Sequence, residues 1–454
     1  MSSQDTMNNK FDPVTGDIVP VFFRYAIPSV IGMIAVTSAG VIDGIFIGNF
    51  IGASALAAIN ICIPVFAFYA AIVLMLAVGG SVVSGKNLGE GNTEAASDIF
   101  SKTVYATLAM GLAITFSCLL FLDEVIALLG ANEELHEMVR DYLLIIVAAA
   151  PFLVIGLTLD YFVRIDGRPV LASVTLVGFA LVNITLDWLF IVHLEWGIKG
   201  AAWATAIAEA CIFLALISHW FHPACNLKFL SVRGGWGRVL HAAWNGFSEF
   251  ANEASIGLVT LMFNWVMITR LGVIGVAAFT IVGYLLFIGL EICYGISESL
   301  QPTVSKNLGA GKAGRIVKFT LTAVIASFVI GLAVSILFVF APETMISLFL
   351  REGEDQTVEI ALEFIALFWP AFLFNGMNIT LASYFTALHK PLQSAAIALS
   401  RSLVLPALGL LLLPIWFGAT GIYITIPLAE ALTFILALVL VKRYPPTRII
   451  HSSD

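Results

Sequence analysis

The chain has 454 residues, 60% of them hydrophobic and only 11% charged, with a mean hydropathy of +0.99. A soluble domain carries about 25% charged residues, so a chain of this size and composition cannot cover its surface for water and is read as an integral membrane protein. Its net charge of −8 argues against nucleic acid as a partner.

The opening "MSSQDTMNNKFDPVTGD" is polar and lacks the basic-then-apolar order of a cleavable signal, so no signal and no lipid anchor are expected. Twelve segments long enough to cross a bilayer follow, at 20–48, 54–84, 97–121, 139–164, 170–192, 199–221, 243–269, 274–304, 316–341, 358–387, 392–414 and 419–441. Their length and lack of alternation predict helices rather than strands. The N-terminus, the even-numbered connections and the C-terminus, with their helix ends, hold 18 of the 22 Lys and Arg; the other side holds only Arg140, Lys199, Arg270 and Arg351. The positive-inside rule then places both termini in the cytoplasm. Cys62, Cys118, Cys211 and Cys293 lie inside apolar segments and Cys225 in a connection. With no CxxC, neither a disulfide framework nor a zinc site is suggested.

Polar groups inside the spans cost about 2.5–3.5 kcal/mol each when ionisable and are functional candidates by default. Span 1 carries a lone carboxylate, Asp43, in "VTSAGVIDGIFIGNFIG". Tyr142 follows at the start of span 4, Asp160 late in that span, Asn183 and Asp187 on one face of span 5, and Thr205 in span 6. No Lys or Arg is read as deep enough to neutralise these carboxylates. Desolvation favours the protonated form and a cluster titrates as a unit, which suits a proton-coupled carrier. In the second half Glu249 and Glu253 share a face of span 7, Glu291 and Glu298 a face of span 8, and Gln301, Asn375 and Asn378 add amides. An acidic interior with almost no buried basic residue predicts cationic cargo, with aromatic faces available for cation–π contact.

The chain repeats itself. "KNLGEG" at 86–91 recurs as "KNLGAG" at 306–311, and "GIKGAAWATAIAEA" at 197–210 sits over "GATGIYITIPLAEA" at 418–431. Two six-span halves are expected, 1–228 and 229–454, as parallel repeats with a substrate site between them and rocking alternating access. Across the repeat Asp43, Asp160, Asn183 and Asp187 map to Phe263, Ser383, Leu405 and Gly409; Glu249, Glu253, Glu291 and Glu298 map back to Ser29, Met33, Ala71 and Val78. Neither acid set is kept in both halves, which favours function over fold. Glu209 and Glu430 do recur, and are read as structural contacts between helices. Pro28, Pro64, Pro151, Pro302, Pro370, Pro406 and Pro427 fall within spans and can kink them; a bend at Pro28 tied to protonation of Asp43 is one expectation.

The twin "KNLGEG" and "KNLGAG", "VIDGIFIGNFIG", "DYFVRIDGRP", "NITLD" and "GISESLQPTVSKNLGAG" together resemble the multidrug and toxic compound extrusion (MATE) transporters over essentially the whole length, most closely their prokaryotic DinF-like branch. The resemblance implies an all-α, V-shaped bundle of twelve transmembrane helices in a bacterial inner membrane, a monomer exporting small organic cations against proton entry. It places Asp43 and Asp187 in the coupling site of the first lobe, with Asn183, Tyr142 and Thr205 as hydrogen-bonding partners and Asp160 where the family has Asn. Glu249 or Glu253 matches the span 7 acid of sodium-linked members, but Asn375 and Asn378 stand where a Tyr and an Asp would be expected. No cofactor is implied beyond the ion, H+ or alternatively Na+, and no partner beyond membrane lipid.

Two rivals fit less well. A flippase for lipid-linked precursors would need a basic cavity. An intramembrane enzyme would need a catalytic motif, and neither HExxH nor GxSxG occurs, so no enzyme is expected.

Overall fold

The computed structural model describes residues 11–451 apart from 224, 232–233 and 348–354. Among the described residues every regular element is helical. Span 1 is Ile18–Phe46, continued by a π-helical turn at Ile47–Ile51; spans 2, 3 and 4 are Ala53–Gly89, Thr93–Leu120 and Glu133–Ile165. Span 5 is Pro169–Asp187 with a π-helical end at Trp188–His193, and span 6 is Ile198–Ile217. Spans 7 and 8 form one run, Phe247–Gly309, which turns at Gly272 (φ 69°), so the expected connection between them shrinks to the bend itself. Span 9 is Ala313–Phe340, and span 10 is broken into Asp355–Phe368 and Ala371–Ala387, bent by 57°. Span 11 is Pro391–Phe417, with a π-helical turn at Ser400–Val404, and span 12 is Thr425–Arg443. Ten described helices are long and apolar enough to cross a bilayer, the bent pair makes an eleventh, and the arm at 273–309 is the twelfth. Short helices at Leu122–Leu128 and Pro342–Ser347 occupy the acidic third and ninth connections; Arg351 lies outside the described residues.

Local chemistry sets the helix starts. The side chains of Asn92 and Asn132 accept the backbone N–H of Ala95 and Leu135, each at 3.0 Å, capping spans 3 and 4. Glu133 and Glu134 add negative charge to the first turn of span 4. Pro169 and Pro391 open spans 5 and 11, where a missing N–H costs nothing. The repeat is written into the backbone as well: Gly197 and Gly418 adopt nearly the same conformation, φ 60°, ψ −141° and φ 59°, ψ −135°, before spans 6 and 12. Both lie where L side chains are strained.

By contact the chain forms two compact units, 27–250 and 251–454 with residues 1–26. In the first, span 4 packs against spans 2, 3 and 6. Small residues allow the approach: Gly111 lies against Val154, Gly156 against Ile212, and Ala201, Ala202, Ala204 and Ala208 of span 6 are fully buried. Van der Waals fit of this kind replaces the hydrophobic drive that lipid cannot supply. Beyond the sequence boundary at 228, helix Gly237–Asn245 still belongs to this unit. Gly79 and Gly246 bring it onto span 2 so closely that a Cβ on either would overlap backbone across the contact.

The second unit repeats the plan, with span 10 packed against spans 9 and 12. Ser327 and Thr380 share a hydrogen bond of 2.8 Å between spans 9 and 10. The stretch before span 1 docks here: the Pro13 carbonyl accepts from Asn307 at 2.9 Å and from Arg315 at 2.8 Å, and the Gly16 carbonyl accepts from Arg315 at 2.6 Å. Large apolar side chains such as Phe116, Trp265 and Trp416 point outward, 65–73% exposed, as lipid-facing side chains do.

Candidate functional site

The acids of the first half converge. Asp43 lies four residues before the π-helical turn of span 1, and Asp187 is the last α-helical residue of span 5 before its own π segment. The two π segments touch. A π turn carries one extra residue and often marks a functional position, because it re-aims the side chains beside it. Asp187 is completely buried and neither of its oxygens has a hydrogen-bond partner among the described residues. Asp43 is half-buried, and its Oδ1 is likewise buried and unpartnered. The two carboxylates are within electrostatic reach of each other, and both are within reach of the buried Tyr142 hydroxyl. Asn183, one turn before Asp187, donates to Thr205 Oγ1 at a long 3.4 Å. Asp43, Tyr142, Asn183, Asp187 and Thr205 thus gather in one compact unit, with Cys62 also near Tyr142.

Asp160 departs from the expectation that these carboxylates lack a cation. Arg164, one turn later on the same face, lies 2.7 Å from Asp160 Oδ2, both side chains being almost fully buried. The guanidinium also donates to Ser29 Oγ of span 1. Arg164 is one of the 18 basic residues that the charge count places in connections and helix ends, but the helix carries it inward beside its i−4 neighbour.

Glu209, read from its recurrence as structural, belongs with the first-half acids. It is 3% exposed, its Oε2 is unpartnered, and it too is within electrostatic reach of Tyr142. Together with Asp160, Gly156, Leu157, Leu176 and Ile212 it lines a cavity of about 20 Å³, the room of one water. Asp160 Oδ1 is the other unpartnered oxygen there.

The second half answers the same glutamate differently. Glu430 accepts from Asn375 at 2.7 Å and from Asn378 at 2.7 Å, and Arg401 Nη2 lies 3.2 Å away. Arg401 reaches on to Asn252 Oδ1 at 3.3 Å, and Asn252 donates to Tyr294 at 2.9 Å. The expected absence of buried cations therefore fails here also. The amides of Asn375 and Asn378, expected to serve the second-half site, are engaged in holding a buried ion pair. Glu291 lies within electrostatic reach of both Glu298 and Glu253, and Glu253 bonds to the neighbouring Asn252. Glu249 falls in the other compact unit. A sequence signal for this contrast existed: by the offset that sets Leu405 over Asn183, Arg401 stands over Phe179, so only one of the twin glutamates has a cation to meet.

A third cluster was missed. Asp166, just after span 4, and His219, at the end of span 6, are 2.7 Å apart (Oδ2 to Nε2) and fully buried, with Cys225 beside them. Burial, reinforced by the Asp166 carboxylate, pushes the Cys225 thiol up to about 12. The spacing His-x2-His-x2-Cys in "HWFHPAC" was the available signal.

Twelve apolar spans in two repeats, with unpaired carboxylates buried in one of them, define a multi-pass membrane transporter. The MatE family model matches residues 28–189 and 253–411; the chain belongs to this family. Its relatives include the multidrug export protein MepA of Staphylococcus haemolyticus, 25% identical over 436 residues and covering 93% of each chain. MepA of Staphylococcus aureus strain MSSA476 is 25% identical over 432 residues, covering 93% of this chain and 94% of that one. In fold the chain is similar to an outward-facing multidrug resistance MATE family transporter, at TM-score 0.89 and 22% identity over 99% of this chain and 98% of that one. It is also similar to a MOP superfamily transporter from Pyrococcus furiosus with a binding pocket of reverse polarity, at TM-score 0.88 and 21% identity over the whole of both chains.

Proposed function

We propose that this chain is a secondary antiporter of the bacterial inner membrane that exports lipophilic organic cations in exchange for protons, with both termini in the cytoplasm. The carrying observation is the pair Asp43 and Asp187, within electrostatic reach of each other, three of whose four oxygens are buried with no hydrogen-bond partner among the described residues. A carboxylate so placed is stable only when it holds a proton, a metal cation or cargo. Alternate occupation by proton and cargo is what coupling requires. Opening to the outside admits protons to Asp43 and Asp187 and releases the drug cation; opening to the inside reverses both. Two protons entering per monovalent cation leaving move one net charge inward. At about 100 mV and one pH unit this yields about 5 kcal/mol, enough for about a thousandfold gradient.

The export of several drugs by the MepA relatives supports the cargo class. Sodium coupling is the second reading, favoured by the oxygen donors of Asn183 and Thr205 beside Asp187. Dye extrusion, read as uptake into inverted vesicles, separates the two. Proton coupling predicts efflux that stops when the pH gradient is collapsed, persists without sodium, and is lost in Asp43→Asn. Efflux that survives loss of the pH gradient but not of sodium would overturn the proton assignment.

A further inference from the structure

The cluster outside the spans has the composition of a transition-metal site. Asp166 caps the end of span 4, and His219 sits in the short 3-10 helix Ser218–Phe221 that ends span 6. Two successive turns, His222 N–H to the His219 carbonyl at 3.0 Å and Cys225 N–H to the His222 carbonyl at 3.1 Å, fold the chain back and return Cys225 to His219. One nitrogen of His219, one oxygen of Asp166 and Sγ of Cys225 then lie within 4.8 Å of one another. A small rearrangement, in which the Asp166–His219 contact opens and Cys225 draws in, would bring the three to the spacing of ligands about 2.0–2.3 Å from one metal.

His219 is 1% exposed, so its ring is fixed in the cluster with Nε2 facing the Asp166 carboxylate at 2.7 Å. Asp166 is also held from outside the cluster: Asn226 donates its backbone N–H to Oδ2 at 3.1 Å and its side-chain amide to Oδ1 at 2.9 Å. Outer contacts of this kind orient a carboxylate ligand in metal sites.

We propose that Asp166, His219 and Cys225 bind one zinc-class divalent cation, tying the end of span 4 to the connection after span 6. One oxygen, one nitrogen and one sulfur suit zinc or its cobalt surrogate, and disfavour magnesium and calcium, which take oxygen. Three protein ligands leave a fourth position for water. The cation supplies the charge that a coordinating thiol needs in order to lose its proton. The connection is already fixed to span 3, where Ser97 and Ser101 accept the Lys228 and Leu230 N–H groups at 3.1 and 2.8 Å. The metal would complete a staple joining spans 3, 4 and 6 on the side read as cytoplasmic.

The test is titration of the full-length, untagged, chelator-stripped protein in detergent with Co2+, then displacement by Zn2+. One Co2+ per chain is expected, with a thiolate-to-cobalt charge-transfer band that Zn2+ abolishes. Cys225→Ser should lose the band while keeping the metal-free melting temperature, and saturating Zn2+ should raise the melting temperature of the wild type alone. Asn226→Ala should weaken Zn2+ by about 10–100-fold. No stoichiometric Co2+ in the wild type, or the same band in Cys225→Ser, would overturn the proposal. So would a lower metal-free melting temperature in His219→Gln with Co2+ affinity unchanged, because that pattern assigns the cluster to packing alone.

Discussion

Arg401 Nη2 stands 3.2 Å from Glu430 Oε1, whereas Glu209, the counterpart of Glu430 in the first half, has no basic partner among the described residues and an unsatisfied Oε2. The repeat supplies the same carboxylate twice, and the second half neutralises it. Asn375, Asn378 and Arg401 together satisfy Glu430 from spans 10 and 11. The first half leaves Glu209 beside Tyr142, among acids that are themselves unpaired. The twin glutamate is thereby neutralised in the second half and left electrostatically incomplete in the first.

This contrast has a stability signature. Arg401→Met strands a buried carboxylate and should cost about 3–5 kcal/mol, whereas Arg401→Met with Glu430→Leu should recover most of it. Glu209→Gln should be neutral or stabilising, because it removes an uncompensated charge. Thermal melts of the three variants against the wild type in one detergent check the ranking.

The Asp160–Arg164 pair should behave like the Glu430 knot. Asp160→Asn leaves Arg164 buried with Ser29 and a neutral amide, and should lower stability by about 3 kcal/mol or more. If Asp160 were an unpaired acid of the coupling cluster, the same change would leave the melting temperature unaltered and abolish efflux instead.

The contact between span 2 and helix Gly237–Asn245 tolerates no side chain. Gly79→Val should reduce folded protein sharply, since even a Cβ there overlaps the Ala242 carbonyl; Gly237→Ala on the same helix, where nothing lies within 4 Å of an added Cβ, should not. Monodisperse yield on size exclusion distinguishes them.

At Gly418 the restraint is conformational. No atom lies within 4 Å of an added Cβ, yet φ is +59°, so Gly418→Ala should cost about 1–2 kcal/mol through backbone strain alone. Gly197→Ala should match it if the halves are true repeats, and paired melts measure the match.

Much of this was legible in the sequence, for reasons that differ by feature. Spans follow from uninterrupted apolar length, and the duplication from matched glycine turns such as Gly197 and Gly418. Asp43 and Asp187 stand out because nothing near them in sequence could neutralise them, and no ion pair to either occurs among the described residues. The errors lie where partners come from elsewhere in the chain or where a helix end is misjudged. Arg401 is one of the 18 basic residues that the charge count places in connections and helix ends, yet span 11 carries it to Glu430 on span 12. Asn375 and Asn378 looked like ligands because their acceptor is 52 residues or more away. Arg164 was within reach of the i,i+4 rule and was assigned to the water instead. His219 meets Asp166 across 53 residues, which no local pattern displays.

The central claim is that the unpaired carboxylates of the first half couple proton entry to cation export. Its most direct measurement is uptake of a fluorescent lipophilic cation into proteoliposomes driven by an imposed pH gradient in sodium-free buffer. The wild type should accumulate the dye, and Asp43→Asn and Asp187→Asn should bind it yet fail to accumulate it, with melting temperatures at least as high as the wild type. Gradient-driven accumulation at the wild-type rate by either variant would contradict the account.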